Sequence, residues 1–107
     1  MIVDFSALQS KLVLEGLITQ TVLPFDEESR MLERDDVCEV SFAGLLFKGY
    51  SLKVNNVSVT SLAKLSNKDI FDNGFLYKPF FIEFMQGKGI VEDDTVVKVD
   101  FELLECD

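Results

Sequence analysis

Between Tyr50 and Val59 the apolar residues keep one alternation and then change to the other. Tyr50, Leu52 and Val54 share a phase, Val57 and Val59 hold the opposite one, and Asn55-Asn56 stands at the change. Side chains along a strand point to opposite faces in turn, so a slip of one residue sends every later side chain to the wrong side. A bulge or a tight turn must therefore lie at Asn55-Asn56. A long bent strand is favoured, because bending of this kind rolls a small sheet into a barrel.

The flanking stretches suit such a sheet. Val37 to Ala43 alternates as a half-buried strand that Gly44 breaks, and Gly49 marks a further bulge or bend after Leu45 to Lys48. Ile18 to Leu23 is rich in β-branched residues and is closed by Pro24, which cannot extend a ladder. From Thr95 the chain alternates cleanly, with Val97, Val99, Phe101 and Leu103 on one face and Lys98, Asp100 and Glu102 on the other. This is the clearest strand in the chain.

Three helices are expected around it. Ser6-Ala7-Leu8-Gln9 has capping-box spacing and Gly16 sits where a helix ends, which predicts a helix over Ser6–Glu15 with Phe5, Leu8 and Leu12 on one face. Ser66-Asn67-Lys68-Asp69 repeats the cap for a short helix that Asn73-Gly74 stops. Pro79 suits the start of a third, with Phe80, Phe81, Phe84 and Met85 at helical spacing and Gly87 as its stop. That aromatic stripe is read as core that plugs a barrel, not as a ligand box. Asp26 to Asp36 is read as a charged, exposed loop with only Met31 and Leu32 as anchors and room for one helical turn. The fold class is therefore α+β: a small mixed or antiparallel β-barrel with about three short helices packed around it, one domain over residues 1–107.

Charge and composition narrow the chemistry. Ten Lys and Arg stand against nineteen Asp and Glu, a net charge of −9, which disfavours unaided binding to long nucleic acid. Histidine is absent and the two cysteines, Cys38 and Cys106, form no ligand pattern. The acids of the charged loop do not match a calcium loop, which needs oxygens at alternate positions around a central glycine. No metal and no cofactor is expected. No apolar run approaches the roughly 20 residues of a membrane span, and Met1-Ile2-Val3-Asp4 lacks the start of a signal peptide. A soluble cytoplasmic protein with free thiols is the expectation.

The candidate site is the corner Gly16-Leu17-Ile18-Thr19-Gln20-Thr21-Val22-Leu23, where a helix hands over to a strand. A glycine corner of this kind is expected to leave backbone amides and threonine hydroxyls free for a ligand.

The order of elements, from Leu14-Glu15-Gly16-Leu17-Ile18-Thr19-Gln20-Thr21 through Val57 to Gly74-Phe75 and on to Thr95 to Leu103, resembles the ASCH domain, a small barrel related to PUA domains. The resemblance implies binding of RNA or modified nucleosides, and in some members an amidohydrolase that uses a lysine, a threonine and a glutamate. Thr21 matches the threonine; Ile18 stands at the lysine position, Asn73 near the glutamate, and Asp72 is the nearest acid. Isoleucine and asparagine cannot exchange protons at a useful pKa, so a non-catalytic module is expected. Its ligand, a nucleoside, nucleotide or short RNA, would meet Gly16, Thr19, Gln20, Thr21, Asp72, Asn73 and Gly74, with Lys64, Lys68 and Lys78 as phosphate contacts. The alternative is an acidic protein-interaction or inhibitor module for a basic partner, of a kind suited to viruses, with Leu17, Ile18 and Leu23 as an apolar patch rimmed by Asp26, Glu27 and Glu28. A hydrolase with its acid moved to Asp72 or Glu83 is the third reading.

Overall fold

A computed structural model describes residues 1–106. One mixed sheet of five strands runs in the order β1-β3-β4-β5-β2. The strands are β1 (Ile2–Phe5), β2 (Gln20–Pro24), β3 (Val37–Phe42), β4 (Leu45–Ser61) and β5 (Thr95–Glu105). Only β1 and β3 are parallel; the other neighbours are antiparallel. The sheet curls into a half-barrel, and three short helices pack on it: α1 (Ser10–Leu14), α2 (Asn67–Asp72) and α3 (Lys78–Gln86). This is the expected α+β small-barrel class. No described helix is long and apolar enough to cross a membrane.

The phase slip is a bulge. β4 runs unbroken for 17 residues. Val54 pairs with Phe101 and Asn56 with Asp100, so Asn55 is the extra residue. Leu52 and Val54 before it and Val57 after it thereby reach the same core despite their opposite parity. A second irregularity sets Glu39 against Ser51 but Val40 against Phe47, with Gly49 in the looped-out stretch. Ala43 and Gly44 make the tight turn between β3 and β4, both with positive φ, 51° and 80°.

The sheet carries a core on each face. Val3, Phe5, Cys38, Val40, Leu52, Val54, Val97, Val99 and Phe101 form the first, closed by Val13 and Ile18 from the α1 corner. Val22 and Val96 face the second, under Leu62, Leu65, Ile70, Phe81, Ile82, Met85 and Ile90. Val96 and Val97 are adjacent in sequence and serve opposite cores. The face of β5 that holds Lys98 and Asp100 is thus covered by helices and is not a solvent face.

Several expectations need correction. The first helix is split, a 3₁₀ turn over Ala7–Gln9 and then α1, although the Ser6–Gln9 capping box is present. Leu8 is 92% exposed and does not share a buried face with Phe5, which lies in β1. Strand β1 was not expected at all. Phe80 is 62% exposed, while Phe81 and Met85 point into the second core. In the charged loop Ser29 is the buried anchor and Met31 is exposed.

The box at α2 is complete, with the Asp69 N–H donating to the Ser66 hydroxyl and the Ser66 N–H to the Asp69 carboxylate. Ser66→Ala is expected to lower stability by about 1 kcal/mol. A thermal melt that leaves the midpoint unchanged would show that tertiary packing alone fixes this helix start.

Candidate functional site

Helix α1 ends at Leu14 with Glu15 as its cap, and the chain turns at Gly16, whose φ of 77° is a left-handed value that favours glycine. The Gly16 N–H donates to the Val13 carbonyl at 3.1 Å, Leu17 and Ile18 both donate to the Leu12 carbonyl, and Thr19 donates to the Asp72 carbonyl at 2.9 Å. The corner amides are therefore committed, contrary to expectation, and form no anion-binding nest.

Ile18, at the lysine position, is only 2% exposed and belongs to the first core. A Cβ added to Gly74 would lie 2.9 Å from its Cδ1 and Cγ1 atoms. Leu23 packs on the same core and Leu17 is 58% exposed, so these three residues do not make one apolar patch. The corner and the end of α2 meet as packed structure.

Between them lies a closed polar network. Gln20 and Asn73 are 2% and 4% exposed. The Gln20 amide nitrogen donates to Asp100 at 2.8 Å and to Asp69 at 3.1 Å, and its oxygen accepts from the Asn73 amide at 2.8 Å. Asn73 also donates to the Asp69 carbonyl, and the Lys98 ammonium lies 3.2 Å from the Asp69 carboxylate. Burial alone would raise the Asp69 pKa; the Ser66 N–H, the Gln20 amide and the Lys98 ammonium outweigh it and hold it at about 2. Every amide hydrogen of Gln20 has an acceptor. Gln20 and Asn73 thus brace α2 against β2 and β5, and no donor of this pair is left for a ligand.

Sequence reading found Gln20 and Asn73 but missed Asp69, Lys98 and Asp100 as their partners. The signal was there in part: Lys98 and Asp100 alternate with Val97, Val99 and Phe101, which are all buried.

Two recesses lie along the segment from Gly16 to Pro24. One, of about 340 Å³, is lined by Gly16, Thr19, Tyr50, Glu15 and Glu102 over the buried Val13, Ile18 and Phe101. Tyr50 is held there by stacking on Phe47, with ring centroids 5.8 Å apart. The other, of about 510 Å³, holds Thr21 together with Asp4, Asp26, Glu28 and Lys88. Thr19 and Thr21 therefore serve different recesses, and neither Asp72 nor Glu83 shares a recess with Thr21.

The three lysines do not gather there either. The Lys68 ammonium donates to Asp72 at 2.7 Å, a bond that raises its pKa. Lys78 is bound to the carbonyls of Ala63 and Leu65 at 2.7 and 3.0 Å, and Lys64 is exposed in a separate 3₁₀ turn. Among the described residues no group of three or more acidic or cysteine side chains could hold a metal ion.

Comparison with solved structures identifies the fold. A DUF984 protein of Enterococcus faecalis V583 superposes with a TM-score of 0.68 at 17% identity, over 89% of this chain and 66% of that one. The hypothetical protein PH0355 gives 0.70 at 17% identity, over 97% and 100%. The ASCH domain of Lactobacillus crispatus JV V101 gives 0.64 at 17% identity, over 92% and 72%. The chain thus spans about two thirds of the length of the Enterococcus protein. No protein-family model matches the sequence, and no curated protein does.

Proposed function

We propose that this ASCH-like barrel is a non-catalytic binding module whose ligand is a nucleoside, held without phosphate contacts in the recess at the Gly16 corner. The observation that carries the reading is the recess itself: about 340 Å³, lined by Thr19, Tyr50, Glu15 and Glu102 together with the apolar Val13, Ile18 and Phe101. A nucleobase stacks on an aromatic face for about 1–3 kcal/mol, and a carboxylate accepts from an exocyclic amine. Phosphate finds little there. The corner amides are committed, Lys68 and Lys78 are bound elsewhere, and the cations beside the recess, Lys11 and Lys53, are paired at 3.9 Å with its own acids, Glu15 and Glu102. Amide hydrolysis is not proposed, because Ile18 and Asn73 supply no proton carrier and Thr21 faces another recess.

Amide NMR titration with cytidine, adenosine, guanosine, uridine and their 5′-monophosphates tests this. The Gly16, Thr19, Tyr50 and Glu102 resonances are expected to shift with at least one nucleoside and less with its monophosphate, and Tyr50→Ala to weaken that binding roughly tenfold or more. If those four amides stay still up to millimolar concentrations of every nucleoside, the reading is wrong.

A further inference from the structure

The sheet has two ends, β1 and β2, each paired on one side only. In β1 the Met1 and Phe5 carbonyls accept from Glu39 and Ala43. The parallel ladder then turns the N–H and C=O groups of Ile2 and Asp4 outward. In β2 the Thr19 carbonyl accepts from Phe101, and Thr21 stands opposite Val99. The antiparallel alternation then turns the backbone of Val22 outward. Both edges line one recess, about 510 Å³, with Ile2 and Asp4 on one side and Thr21 to Pro24 on the other.

An open strand edge is a template for another extended chain. Charge decides which chain. Asp4, Asp26 and Glu28 line the groove with two cations, the Met1 α-amino group and the Lys88 ammonium, which lies 4.6 Å above the Phe84 ring; Asp4 also accepts from Ser41 and Gly44 and Asp26 from Ser29, each through one carboxylate oxygen, which leaves the acids in excess. A second copy of this chain would bring its own −9 to an acidic edge. A basic strand meets attraction instead. Its side chains alternate, so lysines or arginines at every second position reach these carboxylates while the residues between them meet Ile2, Leu23 and Ile90.

We propose that the groove between the outer edges of β1 and β2 is a docking site for an extended, lysine- or arginine-bearing segment of a partner protein, which adds a strand to the sheet. This site is separate from the Gly16 recess and does not depend on the nucleoside reading.

The probe is the capped heptapeptide Lys-Val-Lys-Val-Lys-Val-Lys, with its Glu-for-Lys counterpart as control, added to isotope-labelled protein. The expected result is shifts at Ile2, Asp4, Thr21 and Val22, slowed hydrogen exchange of the Ile2 and Val22 amides, and no binding of the acidic peptide. Glu28→Lys should weaken binding roughly fivefold, whereas Glu27→Lys, with the same change in net charge outside the groove, should cost much less. Four results overturn the proposal: no shift with the basic peptide at millimolar concentration, equal binding of both peptides, equal effects of the two charge reversals, or shifts without protection of the edge amides. Protection of those amides without peptide, together with a dimer in sedimentation, would also overturn it by making a second copy the occupant.

Discussion

Gly74→Val is expected to remove about 2–6 kcal/mol of stability, a large part of what a domain of this size has. Two independent costs add. At a φ of 90° a side chain is strained by about 1–3 kcal/mol. The new Cβ would also meet the Ile18 side chain at 2.9 Å, and Ile18 is buried in the first core, an overpacking cost of about 1–3 kcal/mol. Urea denaturation of Gly74→Val and Gly74→Ala measures both. Because only the steric part can be relieved, Ile18→Val combined with Gly74→Ala should cost less than the sum of the two single changes. Strict additivity in that cycle would disprove the contact between Ile18 and the α2 end.

The second large effect is expected from Gln20→Glu, which keeps the shape of the side chain and replaces its two-hydrogen donor by oxygen. A third carboxylate then stands where Asp69 and Asp100 were 3.1 and 2.8 Å from an amide. A buried charge without its partner costs about 3–5 kcal/mol. The pH dependence carries the diagnosis. The new acid is destabilising when ionised, so its cost is present at neutral pH and shrinks as pH falls from about 6 toward 4. In the parent chain the opposite holds: Asp69 has its pKa depressed from 3.8 to about 2, so the stability it contributes is present above pH 4 and lost as pH falls through 2. Denaturation midpoints of Gln20→Glu and Gln20→Met at pH 7 and pH 5 separate charge from lost hydrogen bonds. If Gln20→Glu gains nothing relative to Gln20→Met at the lower pH, the amide does not bridge the two carboxylates.

Much of the fold was legible because local chemistry and tertiary structure agree. Ser66 and Asp69 cap α2 as their spacing requires, Pro24 ends β2, and the parity change at Asn55 is the bulge that bends β4. What was missed depends on distant partners. Ile2–Phe5 is too short to declare itself as a strand, and it is one because Val37–Phe42 lies parallel beside it. Phe80 and Phe81 both fit the helical stripe, and only the direction of α3 over the sheet decides which is buried. At the candidate site, Gln20, Asn73 and Gly74 do meet near the Gly16 corner. Sequence could not tell that they spend their polar groups on one another, because Asp69 and Asp100 are 49 and 80 residues from Gln20.

The position of β5 has a consequence for synthesis of the protein. It is the last of the described strands to leave the ribosome, yet it lies between β4 and β2 and contributes to both cores. Strand β2, made some 75 residues earlier, has no partner in the sheet until β5 emerges. Until β5 emerges, β2 has no strand to pair with and both cores lack their β5 residues, so the barrel cannot close by local contacts alone. For this domain the folding commitment falls at the emergence of β5, and a pause before Thr95 is the interval in which a chaperone has something to hold.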